Sequence, residues 1–450
     1  MAAPRGEFSS RLGFILAAAG SAVGLGNIWG FPTQAASNGG AAFLMVYLIM
    51  AFCLAYPALM AELIIGRHAK ANAVTALRRI SGDSAMRHVG AATGFAGMAT
   101  ASLILSFYAI VAGWMVAHAL APPIEMAGRE ETAAWLTTFS IERNLSFTAI
   151  FMLLTISIIM AGVRNGIEKW SERLMPSLFV ILFLLIGYVL TLDGASEGVR
   201  AYLIPDFQRA LDPNLILSAT GQAFFSMSLG VGTMLIYGSY VSDRENLVSL
   251  GRSVTLIDIG IAVLAGLLII PAMFVAQNNG VAIYDAAGNL IAEDTLIFAV
   301  LPALFDTIGG AGQAVSFAFF VLMSIAALTS SISMLEVPVA YAVENHDIRR
   351  SYATFLIGGI ITIVSVVLVL NFEALFGLAV AAATRYSQPV LGLLLCVFAG
   401  WVFHRNSLLM EIQKGHEGAE HGLFWKIWPT YVRYVCPTAI LAVFIQKLAA

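Results

Sequence analysis

The chain is patterned as long, nearly unbroken apolar runs separated by short polar segments. Crossing a bilayer as a helix takes about 20 residues. Eleven runs qualify, at roughly 12–36, 41–66, 89–121, 145–162, 170–191, 214–240, 253–277, 312–342, 352–370, 374–403 and 430–447. Several are long enough to predict tilt or extension past the lipid. The first run starts too late and continues too far for a cleavable signal peptide, so it is expected to remain as a helix. The pattern predicts an all-α polytopic membrane protein.

Two runs contain glycine where a spanning helix should be continuous. The first reads Gly20-Ser-Ala-Val-Gly-Leu-Gly-Asn27 and the sixth reads Ser226-Met-Ser-Leu-Gly-Val-Gly232. They stand five helices apart, at equivalent places in two five-helix halves. Paired glycine-broken helices point to an inverted repeat with a binding site near the bilayer midplane. Broken backbone is tolerated there only when it lines a cavity or is buried in protein. Close helix packing is the alternative, since Gly20 and Gly24 also have GxxxG spacing. The predicted organisation is an N-terminal cytoplasmic segment (1–11), a first repeat (12–191), an extracellular loop (192–213), a second repeat (214–403), a cytoplasmic loop (404–429) and an eleventh helix (430–450).

Composition sharpens this picture. The 450 residues are 59% hydrophobic and 11% charged, against about 25% charged in soluble chains. A net charge of −3 without a basic cluster argues against nucleic acid as a partner. With the N-terminus inside, 17 Lys and Arg fall in inner segments and 5 in outer ones. This bias predicts a plasma-membrane protein with a cytoplasmic N-terminus and, for eleven spans, an external C-terminus. Cys53, Cys396 and Cys436 all sit in apolar runs, which argues against disulfides and metal clusters. The sequence specifies no oligomeric state.

No phosphate-binding loop is present, and Gly24 and Gly26 do not follow a strand. No nucleophile is paired with a base in the apolar runs, so the chain is not read as an enzyme. What remains is oxygen chemistry suited to a hard monovalent cation. Asn27 adjoins the first break, and Ser226 and Ser228 flank the second. Asp258 is ionisable inside the seventh run, where charge is costly and usually functional, unless it is a solvated helix cap. Thr329 and Ser330 sit side by side in the eighth run. Their hydroxyls suit a cation site or bonding to their own helix.

The segment Gly20–Asn27, with Phe31-Pro32, Asn38-Gly39-Gly40, Glu62 and Gly66-Arg67, resembles the neurotransmitter:sodium symporter family. Gly221-Gln222-Ala-Phe-Phe225-Ser226 and Leu328-Thr329-Ser330-Ser331 strengthen the resemblance, which runs from about residue 9 to the last span. It implies the 5+5 inverted-repeat transporter fold with unwound first and sixth helices and an eleventh helix. It also implies a sodium-coupled, chloride-independent carrier for a neutral, hydrophobic or aromatic α-amino acid. Carriers of β- or γ-amino acids, taurine-like or betaine-like zwitterions, or a sensor on the same scaffold, are the alternatives.

By this resemblance, one sodium site takes the carbonyls of Gly20, Val23 and Ala326 with the hydroxyls of Thr329 and Ser330. The other takes the Ala22 carbonyl, Asn27, Ser226, Asp258 and the substrate carboxylate. That carboxylate is expected at the Leu25–Gly26 backbone and Tyr108, and the ammonium at carbonyls near Ala22, Phe225, Ser226 and Ser228. The side-chain pocket is implied at Ile104, Tyr108, Phe225, Val231, Ser330, Ser333 and Met334. Gly24 replaces the aspartate of monoamine carriers, which argues against an amine lacking a carboxylate. Val231 stands where leucine-transporting members have phenylalanine, implying a larger substrate. The carboxylate of Asp258 would supply the negative charge that chloride supplies in animal members.

Gating is implied at Arg5 pairing with Glu344, with Phe8 and Tyr240 beside them. The outer gate departs from the family pattern. Gly30 replaces an arginine and Val380 an aspartate, while Arg385 adds a cation one turn further along the tenth run. Arg385 either replaces the gate or contacts an acidic substrate group, or else it snorkels or pairs with Glu373.

Overall fold

The structure, a computed structural model, describes residues 6–283 and 296–449. Among these residues nine continuous helices are long and apolar enough to cross a bilayer, from Ala41–Ala69 to Leu423–Gln446. A tenth span is the pair Arg11–Ala22 and Gly26–Ser37, bent by 56° at its break. The sixth predicted run is also split, into Pro213–Ser226 and Thr233–Gly238. Ten of the eleven predicted runs therefore correspond to membrane-length spans among the described residues, and the sixth corresponds to this split pair of shorter helices. The third is longer than its apolar run, reaching Ser84–Met126, because the N-cap Asp83 accepts the Met86 amide and starts the helix early. The last helix begins at Leu423, ahead of the run that starts at 430.

The first helix has a defined start. Ser10 caps it by accepting the Gly13 amide at 2.8 Å. The buried Glu168 carboxylate then receives the Ser9 amide at 2.8 Å and the Ser10 amide at 3.0 Å. Negative charge at a helix N-terminus satisfies orphan amides and complements the dipole. Glycines let other elements meet: a Cβ on Gly66 would lie 2.0 Å from the Leu235 carbonyl, so the second span packs backbone to backbone against the second half of the sixth.

The segment between the tenth and eleventh spans is anchored to the bundle. Arg67, fully buried at the end of the second span, donates from Nε to Glu411 Oε1 at 2.6 Å. It also donates to the main-chain carbonyls of Glu411 and Glu245. Lys414 approaches Glu411 Oε2 at 3.0 Å, and His68 at 3.4 Å. Burial alone would raise the Glu411 carboxyl, but bonds from His68, Arg67 and Lys414 outweigh it and hold it at about 2, below the ordinary 4.5. A carboxyl lowered on folding adds stability above its unfolded value, and that stability is lost as pH falls through the folded value. Glu411→Gln should therefore cost about 3 kcal/mol near neutrality. Its deficit relative to the parent should shrink between pH 5 and pH 2. Denaturation at a series of pH values checks this, and a deficit independent of acidification would refute it.

Candidate functional site

Both helix breaks free backbone groups at the centre of the molecule. The first span's leading helix ends at Ala22, and Val23 turns to an extended conformation (φ −72°, ψ 102°) before a wide turn over Gly26–Gly30. The sixth span ends at Ser226 and resumes at Thr233. Between them Ser228, Gly230 and Gly232 take φ values of 52°, 89° and 82°. Glycine reaches that left-handed region without steric cost, whereas serine does not. The Ser228 hydroxyl donates to the Ser21 carbonyl at 3.2 Å, joining the two breaks.

Two buried oxygen clusters result. In the first, the Ser330 hydroxyl lies 3.3, 3.3 and 3.2 Å from the carbonyls of Gly20, Ser21 and Val23. Thr329 packs against Gly20, where a Cβ would come within 3.1 Å of Thr329 Cβ. The Thr329 proton is donated within its own helix, to Ala326 at 3.0 Å and Ile325 at 3.2 Å, which leaves its lone pairs available. In the second cluster, the fully buried Asp258 carboxylate accepts from Asn27 Nδ2 at 2.8 Å and Ser226 Oγ at 2.9 Å. The Tyr47 hydroxyl donates to Ser226 Oγ at 3.4 Å. Asp258 is therefore no solvated cap. Each cluster joins the broken first span to a helix of the second half.

Between the clusters lies a cavity of about 50 Å³. It is lined by every residue expected to contact substrate except Ser333. Ser333 is turned away: it donates to the Ser330 carbonyl at 2.8 Å and accepts from Ser21 Oγ at 2.7 Å, so it supports the wall from behind. The Tyr108 hydroxyl accepts the Leu25 amide at 3.4 Å. Gly24 packs closely against this wall, since a Cβ there would sit 2.5 Å from Ser330 Oγ and 3.0 Å from the Tyr108 hydroxyl. Phe225 also lines a larger cavity of about 550 Å³ on the side away from Phe8. Gly30, Val380 and Arg385 share that larger wall, and the Arg385 guanidinium carbon lies 5.9 Å from the Tyr386 ring centroid.

At the opposite end, Phe8 donates its amide to the Tyr240 carbonyl at 3.2 Å and meets the Tyr240 and Tyr237 rings edge-on. The expected Arg5–Glu344 pair lies outside the described residues. Glu344 accepts from the Asn72 amide and side chain, each at 2.8 Å. Tyr240 instead bonds Glu336 at 2.6 Å, and Arg350 pairs with the same buried carboxylate.

The buried acids Glu62 and Glu336 were readable as charges inside apolar runs, although their partners were not. Glu62 spans the second break, with Oε1 accepting the Gly230 amide at 2.8 Å and Oε2 the Leu235 amide at 3.2 Å. Gln222 bridges the breaks by donating to the Gly26 carbonyl at 2.7 Å.

Interrupted helices enclosing a small central cavity between buried oxygen clusters are the architecture of a carrier. The chain matches the model of the Sodium:neurotransmitter symporter family over residues 5–125 and 137–450, and it belongs to that family. It is 34% identical to the uncharacterized sodium-dependent transporter YhdH of Bacillus subtilis (strain 168), over 98% of this chain and 97% of that protein. A sodium-dependent transporter of Haemophilus influenzae is 30% identical over 99% of this chain and 98% of its own length. Among solved structures, MhsT in complex with L-phenylalanine aligns with a TM-score of 0.83 and 36% identity, covering 98% of this chain and all of that one. The chain is therefore a multi-pass membrane transporter with the 5+5 inverted-repeat fold, and not an enzyme.

Proposed function

We propose that this protein is a sodium-coupled symporter for a neutral, hydrophobic or aromatic α-amino acid, working by alternating access. The observation that carries the reading is the pair of buried oxygen clusters, each bridging the broken first span to the second half of the bundle, on either side of one cavity. Sodium at Gly20, Val23, Ala326, Thr329 and Ser330 would tie the first and eighth spans together. A second sodium at Ala22, Asn27, Ser226 and Asp258 would be completed by the substrate carboxylate. Binding that favours one state over the other is what couples ion to substrate.

The substrate carboxylate is assigned to the Leu25–Gly26 backbone and the Tyr108 hydroxyl. Its ammonium is assigned to carbonyls around Ala22, Phe225, Ser226 and Ser228. Gly24 supplies no side-chain carboxylate to pair with a substrate ammonium, which favours an amino acid carrying its own carboxylate over a simple amine. The relative MhsT, with L-phenylalanine bound, supports an aromatic or large aliphatic side chain. Asp258 supplies fixed negative charge beside the second cluster, so transport should not require chloride. The Lys and Arg bias supports a cytoplasmic Phe8 end, with Phe8, Tyr240 and Glu344 on the inner pathway, Arg385 on the outer one and the C-terminus outside.

The driving force is adequate. Each cation entering down 100 mV gains about 2.3 kcal/mol, and a tenfold gradient adds roughly 1.4 kcal/mol. Two ions supply on the order of 7 kcal/mol, a limit of about 10⁵-fold accumulation.

Thermal unfolding of the purified protein against the twenty amino acids, in sodium and in potassium, tests this reading. A ligand selective for the folded state raises the melting point by mass action. One or a few hydrophobic amino acids should stabilise, and only in sodium. Stabilisation by taurine or betaine alone would move the substrate class to other zwitterions. Binding without sodium-dependent uptake into vesicles would mark a sensor.

A further inference from the structure

The tenth span is irregular where it passes the site. A wide turn covers Ala381–Ser387, and the next helix opens with Gln388 and Pro389. Such turns shift the face a helix presents and recur at functional sites. Here the turn brings Gln388 into the wall shared by the two cavities, beside Phe107 and Phe225. The Gln388 backbone carbonyl meets the unwound sixth span so closely that a Cβ on Gly230 would lie 2.5 Å from it. Gln388 therefore stands next to Gly230 and lines the same cavity as Val231, where leucine-transporting members have phenylalanine.

Gln388 is 3% exposed, and its Oε1 has no hydrogen-bond partner among the described residues. A buried acceptor left unpaired is costly, and nearly all such groups in folded proteins are satisfied. An apolar residue of similar shape would avoid that cost. The groups assigned to the charged end of the substrate are the broken backbone and Tyr108. Gln388 lines the cavity together with Phe225 and Val231, two of the residues assigned to the substrate side chain.

We propose that Gln388 is a specificity-determining residue whose amide oxygen accepts a hydrogen bond from an N–H or O–H on the substrate side chain. It would select aromatic amino acids that carry an indole or phenol donor over isosteres that lack one. This rests on the amino-acid symporter reading above. A site built to pair with such a group rejects the analogue without it, because its own polar atom is then left unpaired.

The test is sodium-dependent binding to the full-length protein of two pairs, tryptophan with 3-benzothienylalanine and tyrosine with phenylalanine. In the parent, the donor-bearing member of at least one pair should bind about tenfold more tightly. Gln388→Met should bring the two members within about twofold by weakening only the donor-bearing one. Gln388→Glu keeps an acceptor and should keep the preference, which provides a second reading if the methionine variant fails to fold. Equal binding within both pairs in the parent would overturn the proposal, as would a preference that survives in Gln388→Met. In either case the symporter reading would stand. Absence of sodium-dependent binding by any amino acid would instead remove that reading and this one together.

Discussion

Asp258→Asn should abolish sodium-dependent substrate stabilisation while raising the melting point in potassium. The carboxylate is fully buried and, among the described residues, is held by two short hydrogen bonds, from Asn27 and Ser226. A buried anion without a counter-cation pays a desolvation cost that a neutral amide of the same shape avoids. Removing the charge should therefore stabilise the sodium-free protein. The opposite holds once a cation binds beside it. At an effective dielectric near 20, a unit charge about 4 Å away contributes about 4 kcal/mol, or roughly 10³-fold in sodium affinity. Sodium titrations of the melting point in the parent and variant separate the two effects. A sodium midpoint for the variant within about threefold of the parent's would remove Asp258 from the ion site.

Glu62→Ala should cost a large part of the protein's stability through the second helix break. Glu62 is 1% exposed and uses both oxygens, on the Gly230 and Leu235 amides. Those amides are free because the sixth span is interrupted, leaving the restarted helix at Thr233 with orphan donors. Each buried donor left unpaired costs about 1–3 kcal/mol. The pair would amount to about 2–6 kcal/mol, comparable with the whole folding free energy of many domains. Glu62→Gln keeps one acceptor and loses the charge that complements the helix start, so it should fall between the parent and the alanine variant. Thermal unfolding in sodium measures the series. A melting point for the alanine variant within about 2 °C of the parent's would mean that the break is held elsewhere.

The helical spans and both breaks were legible because they are local. Twenty apolar residues in a row, or three glycines within seven, carry their meaning without a partner. The two oxygen clusters were legible only through the motif resemblance, since Ser330 and Gly20 stand 310 residues apart. Ser333 shows where register reasoning stops: it lies one helical turn from Ser330, yet its hydroxyl is drawn to Ser21 behind the wall. The left-handed Ser228 and the wide turn before Gln388 had no signal, because both are imposed by packing against other spans. Glu411 read only as part of the cytoplasmic loop 404–429, and it is buried against Arg67.

That last contact also has a place in time. Arg67 and Glu411 are separated by 344 residues, and at about 5–20 residues per second a ribosome needs roughly 17–70 seconds to cover that distance. During this interval the second span is already made, but its arginine has no carboxylate to receive it. The end of that span is completed by one of the last segments to be synthesised. A nascent chain interrupted before residue 404 would display a guanidinium without its carboxylate beside the apolar end of an unfinished bundle, a surface by which incomplete copies differ from finished ones.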